Sequence, residues 1–196
     1  MALAYTKLKI EIREISLKDR PPELYKSSKK GTVPVLITTD NIVIDESLDI
    51  ILWSLNECVD QKWLPRDCSQ ELKIIKKNDN EFKKWLDRYK YHDRYPDKSK
   101  KFYRKKCGTF LNDYEIQLSK SKYLSGNQFN IVDVCIFPFV RQFANVDIIW
   151  FENEYKNISF WLSEICNSLL FKAVMKKNDL WQSSNCITIN YKKLIR

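Results

Sequence analysis

Only three of this chain's 196 residues are glycine, and only one, His92, is histidine. With so little glycine, and with apolar residues at 44% and aromatics at 13%, the chain is neither low-complexity nor linker-rich, and a folded protein is expected. A lone histidine gives no zinc pattern. The six cysteines, Cys58, Cys68, Cys107, Cys135, Cys166 and Cys186, lie apart with no short paired spacing, so no metal is expected either. Free thiols in a reducing compartment fit that scatter. Cys107, Cys135 and Cys166 stand among apolar residues at helical spacing, where a buried cysteine acts as a small hydrophobe. No stretch approaches the roughly 20 apolar residues of a membrane helix, and the basic-then-apolar layout of a signal peptide is missing from the first residues. A soluble, cytoplasmic chain with no membrane partner is the expectation.

What the chain has is positive charge, unevenly spread. The formal net charge is +9, and residues 83–106 hold eleven Lys and Arg against three Asp. Such a stripe can attract nucleic acid, anionic lipid or small anions. Charge runs are more often solvated helix faces, so nucleic acid is not expected as a partner.

Along the chain, residues 7–15 alternate apolar and polar, which predicts a half-buried strand with Leu8, Ile10 and Ile12 inward. Pro21 and Pro22 open a short helix through about Lys26. Lys30, Gly31 and Thr32 turn into a strand over residues 33–37, and residues 42–44 are its hairpin partner. Ser47 is expected to cap the helix that follows, with Leu48, Ile51, Leu52 and Leu55 on its apolar face. Strand signals then end, and the stretch around Pro65 and Arg66 reads as a linker. Beyond it lie three helical stripes: Leu72, Ile75, Phe82, Leu86 and Tyr89; Tyr103, Cys107, Phe110, Tyr114 and Leu118; Ile158, Trp161, Leu162, Ile165 and Leu169. Asn130 and Asp133 are spaced as a capping box before an apolar run, in which Pro138 is expected to bend the helix. The last residues alternate weakly, with no definite structure expected. The division is 1–57, a linker at 58–69, a helical domain at 70–182 and a tail at 183–196.

The most informative stretch is Lys30-Gly31-Thr32-Val33-Pro34-Val35-Leu36, followed by Asp45-Glu46-Ser47. Val33-Pro34 resembles the cis-proline turn of thioredoxin-like folds, and a cis X-Pro bond costs only about 0.5 to 1 kcal/mol. A cis bond there exposes the Val33 backbone, which can pair with an extended peptide. Glu46 and Ser47 sit where a strand gives way to a helix. First-turn amides and the Ser47 hydroxyl suit a carboxylate, Glu46 suits an ammonium, and both ends of a zwitterion are matched.

With these motifs in order before an all-helical half, the chain resembles the cytosolic glutathione transferases of the omega-like or bacterial type, from about Ala2 to Trp181. The resemblance implies an α/β thioredoxin-like N-terminal domain followed by an all-α C-terminal domain, with glutathione as substrate and a homodimeric state. It implies glutathione contacts at Val33 and Pro34 (cysteinyl backbone), Glu46 and Ser47 (γ-glutamyl end) and Arg20 (glycyl carboxylate). Tyr89, Tyr91, His92 and Tyr95, near the end of the first long helix, are candidates for a second-substrate pocket. Family members begin with a strand and a turn bearing the catalytic residue. Residues 1–5 match only the end of the helix after it, so the first strand and the catalytic residue are expected upstream of Met1. The expected activity is conjugation of glutathione to a small electrophile, or reduction of a mixed disulfide with it. The alternatives are a non-catalytic binding protein that meets an acidic partner through residues 83–106, and an inactive fragment.

Overall fold

The computed structural model describes residues 1–58, 62–64, 67–182 and 187–191. Contacts divide these into two units. One joins the N-terminal residues up to Cys58 with 169–182 and 187–191; the other spans 62–168. Pro65, Arg66 and Cys186, and with them part of the expected linker and of the expected tail, lie outside the described residues. Helix α10 (Leu169–Val174), expected to belong with the helical domain, clusters with the first unit.

In the first unit, α1 (Ala2–Tyr5) buries Ala2 and Ala4, and β1 (Lys9–Ile12) shows the expected alternation, Ile10 and Ile12 half-buried between exposed Lys9 and Glu11. Strand β4 (Ile187–Asn190) runs antiparallel to β1, with Lys9 opposite Asn190 and Ile12 opposite Ile187. The weak alternation near the C-terminus is thus a strand. The Trp181 amide extends the contact by donating to the Glu14 carbonyl at 2.7 Å, and the Arg13 guanidinium lies 5.0 Å over the Trp181 ring.

Helix α2 (Pro22–Ser27) begins on its proline, and β2 (Leu36–Ile37) pairs antiparallel with β3 (Val43–Ile44). The ladder is shorter than the expected 33–37 because Pro34 has no N–H to contribute. The hairpin closes through Asn41, at φ 61°. Helix α3 (Ser47–Asn56) buries Ile50, Ser54 and Leu55, while Leu48, Ile51 and Leu52 are half-buried, so its inward face is rotated from the expected one.

The second unit is helical: α4 (Ser69–Lys77), a π-helical turn (Asn78–Phe82), α5 (Lys83–Lys90), α6 (Lys100–Leu118), α7 (Ile131–Ala144), α8 (Ile148–Glu154) and α9 (Lys156–Asn167). The first two stripes are core apart from the half-buried Leu72 and meet at the Phe82 and Phe110 rings, while Phe143 ties the first to α8 through ring contacts with Phe82, Tyr89, Trp150 and Phe151. The third stripe holds through Ile165 only. Ser168 is extended and ends α9, leaving Leu169 67% exposed. Helix α7 continues through Pro138, which faces outward.

The Asn130 and Asp133 capping box is present. Asp133, fully buried, accepts at Oδ2 from the Asn130 amide (3.1 Å) and at Oδ1 from the Leu124 amide (3.1 Å) and Trp161 Nε1 (2.9 Å). One carboxylate therefore ties the start of α7 to the preceding loop and to α9. Burial pushes its pKa above the ordinary Asp value, against the three N–H donors. Among the described residues no single helix is long and apolar enough to cross a membrane; α7 and α8 reach that length only as a pair bent by 119°.

Candidate functional site

The hairpin and α3 bring the motif residues of the first unit together. Leu36 stands opposite Ile44, two residues after Pro34 and two before Glu46. The Val33-Pro34 bond is cis. Val33 is 46% exposed, and among the described residues its backbone N–H and C=O have no hydrogen-bond partner.

At the start of α3 the N-cap residue is Glu46, extended at φ −110° and ψ 132°, and among the described residues no side chain caps the helix. Ser47, expected as the cap, is the first helical residue. A capping oxygen must stand one position earlier to reach the first-turn amides, so Ser47 cannot take that part. These amides, the helix dipole and the exposed Ser47 hydroxyl converge at one surface point that favours an anion.

A cation already sits beside it. The Lys30 Nζ donates to Glu46 Oε1 at 2.6 Å and to Asp45 Oδ1 at 3.0 Å, and the Ser28 hydroxyl donates to Asp45 Oδ2 at 2.6 Å. The Ser28 hydrogen bond, then Lys30, holds the Asp45 carboxyl below its ordinary pKa, and the bonds to Glu46 and Asp45 raise that of Lys30. The turn presenting Lys30 depends on Gly31, at φ +61°, where an added Cβ would collide with the Tyr25 ring. Ser28, Lys30 and Asp45 were not assigned roles from the sequence. The signal was there only in part: Lys30 and Asp45 belong to the quoted stretches, but nothing local links side chains 15 residues apart.

Arg20 is exposed just before α2, and among the described residues it makes no hydrogen bond or ion pair. Of the second-substrate candidates, all in the helical unit, Tyr89 is 1% exposed with its ring 4.9 Å from Phe143, a core position. Tyr91 and Tyr95 are exposed, and His92 contacts Asp93 through Nε2 while its buried Nδ1 has no hydrogen-bond partner among the described residues. Burial pushes the Cys107 and Cys135 thiols up to about 12, which disfavours their thiolates, and raises that of Cys166. No group of His, Cys, Asp and Glu that could hold a metal ion occurs among the described residues.

Two family descriptions match the chain: "Glutathione S-transferase, N-terminal domain" over residues 1–62 and "Glutathione S-transferase, C-terminal domain" over residues 78–168. No curated protein sequence matches. Among solved structures, BphK, a bacterial GST in a ternary complex, is similar at a TM-score of 0.76 and 18% identity, over 89% of this chain and 90% of its own. A glutathione transferase from Phanerochaete chrysosporium in complex with oxidized glutathione is similar at a TM-score of 0.76 and 17% identity, over 88% of this chain and 86% of its own. One from Burkholderia graminis, with two glutathione molecules bound per subunit, has a TM-score of 0.74 at 16% identity, over 88% of this chain and 79% of its own. At these identities the likeness is one of fold: a thioredoxin-like N-terminal domain and a helical C-terminal domain.

Proposed function

The chain belongs to the glutathione S-transferase family, and on that premise we propose that it binds glutathione at the start of α3 and along Val33. The observation that carries the reading is the pairing of opposite charge preferences at one point. Glu46 accepts from the Lys30 ammonium at 2.6 Å, which supports its suiting a cation, while the uncapped first turn and the Ser47 hydroxyl favour a carboxylate. A γ-glutamyl end carries both groups on one carbon. The unpaired N–H and C=O of Val33 supply an edge for the cysteinyl backbone. Arg20 is the proposed partner of the glycyl carboxylate.

The proposed chemistry is conjugation of glutathione, through its thiolate, to a small electrophile, or reduction of a mixed disulfide with it, in a cytoplasmic homodimer. A monomeric mass at micromolar concentration would refute the dimer. Retention on immobilised glutathione, with elution by free glutathione, tests the binding site. The parent chain should be retained and Glu46→Ala and Ser47→Ala should not. Loss of a charge-assisted hydrogen bond is worth about 1.5–3 kcal/mol, a factor of roughly 10 to 150 in Kd. A parent chain that is not retained, or variants retained like the parent, would overturn the reading.

A further inference from the structure

The helical unit carries a second charged surface, away from α3 in the sequence and independent of glutathione binding. Of the eleven Lys and Arg in residues 83–106, only Lys83, on Asp79, and Arg104, on Asp147, have a carboxylate partner among the described residues. The other nine are unneutralised. They are not a plain solvated face either, because several are gathered over aromatic rings.

Trp85 on α5 and Phe102 and Tyr103 on α6 form a contiguous ring cluster, with centroids 6.5 Å (Trp85 to Phe102), 6.5 Å (Trp85 to Tyr103) and 5.7 Å (Phe102 to Tyr103) apart. The Tyr103 hydroxyl donates to the Tyr95 carbonyl at 3.0 Å and holds the connecting segment against α6. Arg88 lies 5.1 Å over Trp85 and 5.6 Å over Tyr95. Lys106 lies 5.5 Å over Trp85 and 5.7 Å over Phe102, and Lys98 lies 5.8 Å over Phe102. Tyr95 is 37% exposed and Phe102 36%.

We propose that this α5 and α6 surface binds single-stranded nucleic acid, with Arg88, Lys98 and Lys106 turning from the rings to the phosphates and bases taking their place on Phe102 and Tyr95. Unpaired cations beside accessible rings are the two components of sequence-tolerant single-strand binding. A membrane surface fits less well. The large apolar residues exposed in this segment are Tyr91, Tyr95 and Phe102, with no aliphatic side chain to enter the acyl region. An acidic peptide would answer the charge but leave the rings unmatched.

Fluorescence anisotropy of a labelled oligouridylate with the full chain, across a salt series from about 50 to 200 mM, tests this. Three neutralised phosphates give a log–log slope of about −2 on a single strand, and K98Q/K106Q should make it shallower by about 1.4. F102L, which keeps an apolar side chain in place, should weaken binding about fivefold or more without changing the slope. K172Q/K176Q, in the other unit, should change neither, and circular dichroism checks that every variant is folded. Absence of oligouridylate binding at low salt would overturn the proposal. So would equal competition by inorganic polyphosphate with no effect of F102L, which marks a surface for any polyanion, or binding to phosphatidylserine vesicles in place of the oligonucleotide.

Discussion

Asp133 offers the sharpest test of how the helical unit is held together. Asp133→Ala removes the acceptor of three donors at once: the amides of Leu124 and Asn130 and the indole N–H of Trp161. Each buried donor left unsatisfied costs about 1–3 kcal/mol, and three that share one acceptor do not add in full, so about 3–5 kcal/mol is expected. Asp133→Asn keeps an oxygen for Leu124 and Trp161 but turns an amide N–H toward the Asn130 amide. Its cost should be smaller, about 1–3 kcal/mol. Urea unfolding followed by circular dichroism measures both, with the m-value confirming that the unfolded state is unchanged. Trp161→Phe should cost about 1–2 kcal/mol in the parent and much less in the Asp133→Ala background, since its bond is already gone. An Asp133→Ala variant within about 1 kcal/mol of the parent, or Asp133→Asn as damaging as Asp133→Ala, would refute the assignment of one carboxylate to three donors.

Two further outcomes concern the turn at the candidate site. Gly31→Ala forces a Cβ into the left-handed region and against Tyr25, at a cost of about 1–2 kcal/mol, and should lower Tm by about 5 °C; an unchanged Tm would refute the need for glycine. Asp45, held low by Ser28 and then Lys30, titrates below the ordinary Asp value of 3.8. Its folded pKa lies under its unfolded one, so the stability it contributes is present above that value and is lost as pH falls through the folded pKa. A carbon-13 titration should show the Asp45 midpoint rising toward 3.8 in Ser28→Ala; a midpoint that Ser28→Ala does not move would refute the hydrogen bond as the main cause.

The readings that hold are those written in near neighbours. Alternation in β1 follows from the two-residue period of a strand, the Asn130 and Asp133 box from two side chains one helical turn apart, and the first two helical stripes from a 3.6-residue period. Where one position decided the outcome, the same signals slipped. Ser47 is the first helical residue and not the cap, and Leu169 falls beyond a break at Ser168 that apolar spacing does not reveal.

By itself, then, the amino-acid sequence determined the change from strand to helix signals after Asn56, because those periodicities run within a few residues, and its motifs at Val33, Pro34, Glu46 and Ser47 carried the resemblance that implied the two-part fold. Only the tertiary structure decided that β4 pairs with β1 from the far end of the chain, that Lys30 answers Asp45 and Glu46, that Asp133 reaches Trp161, and that the cations of residues 83–106 gather over rings. These contacts join residues remote in sequence, and each is chosen by what burial leaves within reach, which no local pattern encodes.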